Sequence, residues 1–195
     1  MIVVVSPAQF ERGKSYLIQW TAPTVSAKAK MKVELLDSHG GAWLISEKAK
    51  NGKGELKWTV GKWNAKAGPV YPNAADYRLR ISTLDGGSIG QSQDPFAIAS
   101  VISLNVTGAA TLIGGQTAQY ACAGVYDFGP ARDVTAEVKW GFATVAVGGK
   151  APGKMGKTGL LTTAPVLADQ PCTITAAYGK GKPPVTGTLD VTITP

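Results

Sequence analysis

Histidine, cysteine and charge are all scarce in this chain. Among 195 residues there is one His, there are two Cys, and Asp, Glu, Lys and Arg together make up 17%. The single His39 lies in the turn His39-Gly40-Gly41. Any Ser–His–Asp relay would have to use it, and a turn position suits a solvated ring better. One His and two Cys 50 positions apart do not make a zinc set. No Asp-x-Asp cluster points to calcium, and neither Ile113-Gly114-Gly115 nor Val147-Gly148-Gly149-Lys150 matches a phosphate loop. The sequence therefore implies no catalytic residue, no metal and no cofactor, and predicts a protein that is not an enzyme. No run approaches the roughly 20 apolar residues of a membrane-spanning helix. Met1-Ile2-Val3-Val4-Val5 is too short for a secretory signal and lacks a basic start. Both ends read as those of a piece of a longer exported protein, or of a short protein after processing.

Turn and strand formers are abundant. There are 24 Gly and 12 Pro, and no window of helical length carries a clean 3.6-residue apolar period. Short alternating runs recur instead, separated by turn sequences such as Asn51-Gly52 and Asp85-Gly86-Gly87. In the first half these predict strands over 2–6, 15–20, 31–36, 42–46, 54–60, 76–83 and 95–98. In the second half they predict 101–106, 118–126, 136–140, 144–147, 157–162, 172–178 and 186–194. Seven strands in each half predict an all-β chain of two consecutive sandwiches, over 1–99 and 100–195. The junction Phe96-Ala97-Ile98-Ala99-Ser100-Val101 has no Gly, no Pro and no charge run, which predicts a very short linker of limited reach.

The two cysteines share a phase. Alternate strand residues point to one face, so Tyr120, Cys122, Gly124 and Tyr126 align, as do Cys172, Ile174, Ala176 and Tyr178. Val138 and Trp140 align on a third strand, making Trp140 the core marker between them. Cys122 and Cys172 then meet in one core, as a disulfide or as two small buried thiols. The disulfide is the expectation carried forward.

Residues 2–98 resemble the immunoglobulin-like domain of Ser/Thr-rich lipid-anchored and yeast cell-wall glucan-assembly proteins and of bacterial secreted proteins. The resemblance is carried by Val5-Ser6-Pro7, the segment Gly13–Trp20, Lys32-Val33-Glu34-Leu35-Leu36, the segment Gly54–Val60, Ala75–Ile81 and Asp94–Ile98. Residues 101–195 resemble the bacterial immunoglobulin-like domains of group 2, known from adhesins, surface-layer and phage structural proteins. Its carriers are Gln116–Ala121, Asp133–Trp140, Gly159-Leu160-Leu161-Thr162 and Thr173–Tyr178. Many domains of that group lack a disulfide, so Cys122 and Cys172 depart from it and suggest export to an oxidising compartment. The resemblance implies a secreted or cell-surface location and a structural or adhesive role, as spacer or assembly unit.

Partners follow from the same reading: other surface proteins, further copies of this chain, or cell-wall polysaccharide. The net charge of +7 is concentrated in residues 1–100, which hold 13 Lys/Arg against 8 Asp/Glu. Such a balance favours polyanions. Aromatic and basic residues interleave around 58–66, but no recognised nucleic-acid fold accompanies them, so nucleic acid is not the expected partner. The run Lys48-Ala49-Lys50-Asn51-Gly52-Lys53 reads as a solvated turn. Trp20 and Trp58 fall on inward phases and belong to the core. Trp43, Trp63 and Tyr71, with Lys62 and Asn64 nearby, are candidates for carbohydrate contact, because an aromatic face matches the C–H face of a sugar. Plugging the sandwich end is their alternative role. Asn105-Val106-Thr107 is a glycosylation sequence that matters only in an organism that glycosylates exported proteins.

Overall fold

The structure is a computed structural model, and it describes residues 3–5, 9–61, 72, 74–87, 89–144, 151–179 and 183–195. Lys62, Trp63, Asn64 and Tyr71 lie outside the described residues. The chain divides into two compact units. Unit 1 is Met1–Ser100 with Asp127–Gly129, and unit 2 is Val101–Tyr126 with Pro130–Pro195.

Among its described residues unit 1 holds β1 (Val3–Val5), β2 (Gln9–Glu11), β3 (Ser15–Thr21), β4 (Lys30–Leu36), β5 (Ala42–Lys50), β6 (Glu55–Thr59), β7 (Ala74–Thr83), β8 (Ile89–Gln91) and β9 (Phe96–Ala99). One sheet has the order β1-β3-β6. The other runs β2-β9-β7-β4-β5, with β8 also paired to β7. The first two elements serve different sheets: β1 pairs antiparallel with β3, and β2 pairs parallel with β9. This is the immunoglobulin-like sandwich. Its core forms because each strand keeps an apolar alternate face: Ile18 and Trp20 on β3, Met31, Val33 and Leu35 on β4, Tyr77, Leu79 and Ile81 on β7 are all buried. Trp20 and Trp58 are buried as their phase required. Phe10 is the aromatic hub. Its ring lies 4.8 Å from Tyr16, 5.4 Å from Trp58 and 4.6 Å from Phe96, each edge to face.

Unit 2 holds β10 (Val101–Thr107), β11 (Thr111–Ile113), β12 (Thr117–Gln119), β13 (Ala121–Tyr126), β14 (Arg132–Asp133), β15 (Lys139–Thr144), β16 (Gly153–Met155), β17 (Leu160–Thr163), β18 (Gln170–Tyr178) and β19 (Val185–Thr194). The sheet β11-β19-β18-β15 lies on one side of its core. The ladders β10-β13-β14 and β12-β17-β16 lie on the other. Cys122, Ile174, Ala176, Leu161 and Ile193 belong to this core. The expected strand over 136–140 is displaced. Val134 to Val138 close a tight turn through Glu137 N–H and Val138 N–H to the Val134 carbonyl, and the strand begins only at Lys139. The expected strand over 118–126 is interrupted at Tyr120, whose N–H turns to the Gly159 carbonyl.

Between β9 and β10 stands Ser100 alone. Its N–H donates to Asp127 Oδ1 at 2.8 Å, and its carbonyl accepts the Asp127 N–H at 3.2 Å.

Candidate functional site

The cysteine region of unit 2 is built around Thr135. Its hydroxyl accepts the Cys122 N–H at 2.8 Å, and its carbonyl accepts Trp140 Nε1–H at 2.9 Å. One residue of the turn thus ties the Cys122 strand to the tryptophan. Trp140 is half-buried and covers the core rather than sitting inside it. Cys122 on β13 and Cys172 on β18 enter the same core from its two sides, and both are free, buried thiols in the structure. The expected cross-link is not formed there. Burial raises the pKa of both thiols, and the Asp133 carboxylate adds to the rise at Cys122. The thiolate rather than the thiol is the nucleophile, so the direction of both shifts disfavours exchange, and coupling the pair would take an oxidant.

Of the sugar-contact candidates only Trp43 is among the described residues. Trp43 on β5 is half-buried and packed against the core of unit 1, its ring edge-to-face on Tyr77 at 5.9 Å. Part of its ring is therefore committed to packing.

His39 meets a serine and a carboxylate, yet not as a relay. The Ser38 hydroxyl bonds directly to Asp76 Oδ2, while His39 Nδ1 lies 3.3 Å from Ser38 Oγ and 3.6 Å from Asp76. A relay needs the imidazole between the two, with one ring nitrogen facing each. Here one nitrogen faces both. The Ser38 hydroxyl, bonded to the carboxylate, is the main cause that lowers the Asp76 pKa. The ring itself is 86% exposed. The group closes a turn: Asp37 Oδ1 accepts the N–H groups of His39 at 2.9 Å and Gly41 at 2.7 Å.

The outward face of the β5-β4-β7 sheet holds a carboxylate paired with two cations. Glu34 is buried on β4, although its neighbours Lys32 and Arg80 are each 35% exposed. Lys32 Nζ reaches Glu34 Oε1 at 2.7 Å, and Arg80 Nε reaches Oε2 at 2.9 Å. Register explains the contacts, because Glu34 stands directly opposite Arg80 of β7 and Lys32 lies two positions along the same strand. Burial alone would raise the Glu34 pKa. The two cationic hydrogen bonds outweigh it and hold the group below its ordinary value. Arg78, on the same face, donates to the carbonyls of Ser92 and Gln93. The alternation of charged and apolar residues on β4 was the signal for this network, but a sequence alone does not show which cation of β7 faces Glu34.

Among the described residues no group of three or more His, Cys, Asp or Glu side chains is placed to hold a metal ion. No helix among them is long and apolar enough to cross a membrane.

No family model matches the sequence, and no curated protein is similar to it at a significant level. Solved structures similar to it include the extracellular domains 3–5 of Drosophila OTK, at 10% identity and a TM-score of 0.31, covering 98% of this chain and 63% of that one. A second is the N-terminal four immunoglobulin domains of Dscam1 isoform 9.44, at 15% identity and a TM-score of 0.26, covering 99% and 51%. The chain thus spans less than two thirds of each. At these scores the assignment of an immunoglobulin-like sandwich rests on the sheets themselves.

Proposed function

We propose that this chain is a non-enzymatic structural or adhesive module of an exported, cell-surface protein. It acts as a spacer or assembly unit toward other surface proteins, copies of itself or cell-wall polysaccharide. The observation that carries the reading is the organisation of the backbone. Two sandwich units follow one another with Ser100 as the only residue between β9 and β10, an economy of linker suited to bearing and presenting rather than to closing over a substrate. The resemblances of residues 2–98 and 101–195 to two kinds of surface-protein domain support it. So does the placement of β5 and β15 as outermost strands of their sheets, because an outer strand offers a ladder to a partner. Export would also supply the oxidant that Cys122 and Cys172 require.

Binding of the purified chain to intact cells and isolated wall material, with sedimentation at high concentration, tests this. Adherence or self-association is expected. A monomer that binds neither would sink the reading. A glycan array run in parallel checks sugar contact: binding lost in a folded Trp63→Ala variant would assign the recognition to the aromatic loop.

A further inference from the structure

We infer that unit 1 carries a docking surface for a linear acidic polysaccharide, formed by Lys28, Lys30, Lys48, Lys50 and Lys53. This deepens the adhesive reading and rests on it. Lys30 on β4 and Lys50 on β5 are direct cross-strand partners. Side chains so placed stand about 5 Å apart at Cβ, and like charges there are destabilising. Lys48 precedes Lys50 by two positions, Lys28 precedes β4 by two, and Lys53 ends the 3-10 turn Asn51–Lys53 that follows β5. All five are exposed. Lys14 and Lys32, by contrast, pair with Glu11 and Glu34. No ion pair joins the five lysines to Glu47, Glu55 or any other carboxylate among the described residues.

The scaffold beneath them is fixed. Asn51 Nδ2 donates to the carbonyls of Val25 at 2.8 Å and Ala22 at 3.2 Å, and Oδ1 accepts the N–H of buried Trp20 at 3.3 Å. Backbone bonds run from Asn51 N–H to Ala29 and from Gly52 N–H to Ala27. A Cβ at Gly52 would stand 2.9 Å from the Ala27 carbonyl oxygen, so this approach requires glycine. Two lysine-bearing segments some 20 residues apart are thereby stapled into one array. Protection of an outer strand against unwanted pairing accounts for Lys48 and Lys50 on β5. It does not account for Lys30 on an interior strand, nor for Lys28 and Lys53.

The chemistry of the array selects the partner. It consists of ammonium groups, point charges without the planar fork of arginine. Trp20 is buried beneath it and residues 22–30 and 47–53 contain no aromatic, so these segments offer no face to a nucleobase. None of the exposed large apolar side chains lies in residues 22–30 or 47–53, so there is nothing to insert into a lipid surface. A flexible chain with regularly repeated carboxylates or sulfates matches rigid, spaced ammonium groups without stacking or insertion.

The test measures binding of the whole chain to immobilised heparin and polygalacturonate, with neutral dextran and a single-stranded DNA oligonucleotide as comparisons, between 50 and 300 mM salt. Wild type is expected to bind both acidic polysaccharides, not dextran, with affinity falling steeply as salt rises. Lys30→Ser with Lys50→Ser is expected to weaken binding about tenfold and flatten the salt dependence, while its melting temperature stays level or rises because a repulsion is gone. Lys154→Ser with Lys157→Ser, in unit 2, should change affinity by less than about twofold. Equal losses in the two variants, tighter binding to DNA than to either polysaccharide, or no polysaccharide binding at all would each overturn the inference. Cell adherence separates it from the broader reading. Adherence kept in full by the Lys30/Lys50 variant overturns the inference alone, whereas wild type that adheres to nothing overturns the adhesive reading.

Discussion

At the scale of single residues, Glu34 and the two cysteines illustrate how burial sets chemistry. Glu34 is buried in a sheet face, and the ion pairs with Arg80 and Lys32 favour its charged form there. Its folded pKa is below the ordinary 4.5. The stabilisation is therefore complete above that ordinary value and is lost as pH falls through the lower, folded value. Urea unfolding from pH 7 down to pH 3 is expected to show this loss, and Glu34→Gln should flatten the profile. Arg80→Ala is expected to cost about 2 kcal/mol at pH 7, because a buried carboxylate loses a charged donor while Lys32 and water compensate in part. An Arg80→Ala variant as stable as wild type would show the network to be decoration. Cys122 and Cys172 present the opposite case, burial that raises the pKa with no cation to offset it. Protein prepared under reducing conditions is expected to release two thiols on denaturation. Protein recovered from an oxidising compartment is expected to release none, and to gain about 4 kcal/mol from closing a loop of 50 residues. Two thiols in both preparations would confine the pair to packing.

Elements show why some structure was readable and some was not. β3 and β18 were legible because one buried face imposes a period of two, as in Ile18/Trp20 and in Cys172/Ile174/Ala176. β2 and β11 were not. Each is three residues long and exists through parallel pairing with a strand far along the chain, β9 and β19 respectively. Nothing local marks such a pairing, nor the place of Phe10 of β2 as the aromatic hub. Val138 and Trp140 alternate in sequence like strand residues, but the Thr135 side chain and carbonyl are spent on Cys122 and Trp140, which bends the chain into a turn. The lysine run at 48–53 reads as a turn, but only Asn51–Lys53 turns, and Lys48 to Lys50 extend β5 because Lys30 and Met31 of β4 pair with Lys50 and Ala49. That Lys28 and Lys30 are its neighbours was not legible, because Asn51 brings them together by bonds to residues 22–29. β7 carries a signal that could have been used. Tyr77, near the start of that strand, bonds through its hydroxyl to the Pro72 carbonyl five residues upstream at 2.6 Å, the corner characteristic of these sandwiches. Tyr77→Phe is expected to lower stability by about 1 kcal/mol, since water can replace the donor at exposed Pro72. The urea midpoint should fall with an unchanged slope, and an unchanged midpoint would mean that the bond only guides the corner.

At the scale of the whole molecule, the two cores are separate in composition. One is built from residues between Phe10 and Ile98, the other from residues between Val106 and Ile193. Each unit has about 100 residues, a size at which a sandwich buries close to two thirds of its surface and can stand alone. If folding is local to each core, residues 1–100 and 101–195 made separately should each unfold in one cooperative step. The single residue between β9 and β10 then bears on stability only through the bonds it makes itself. The residues Asp127–Gly129 complicate this in a useful way, because they group with unit 1 although they follow β13 of unit 2 in the chain. Asp127 holds Ser100 at both its N–H and its carbonyl, so cutting the chain at that point removes two backbone-directed bonds from whichever fragment loses its partner. The expected outcome is two folded fragments, each less stable than in the intact chain by about 1–2 kcal/mol. Denaturant midpoints of the fragments against those of the whole decide it. A 101–195 fragment without cooperative unfolding would mean that the second sandwich depends on the first, and would turn a tandem of modules into a single folding unit.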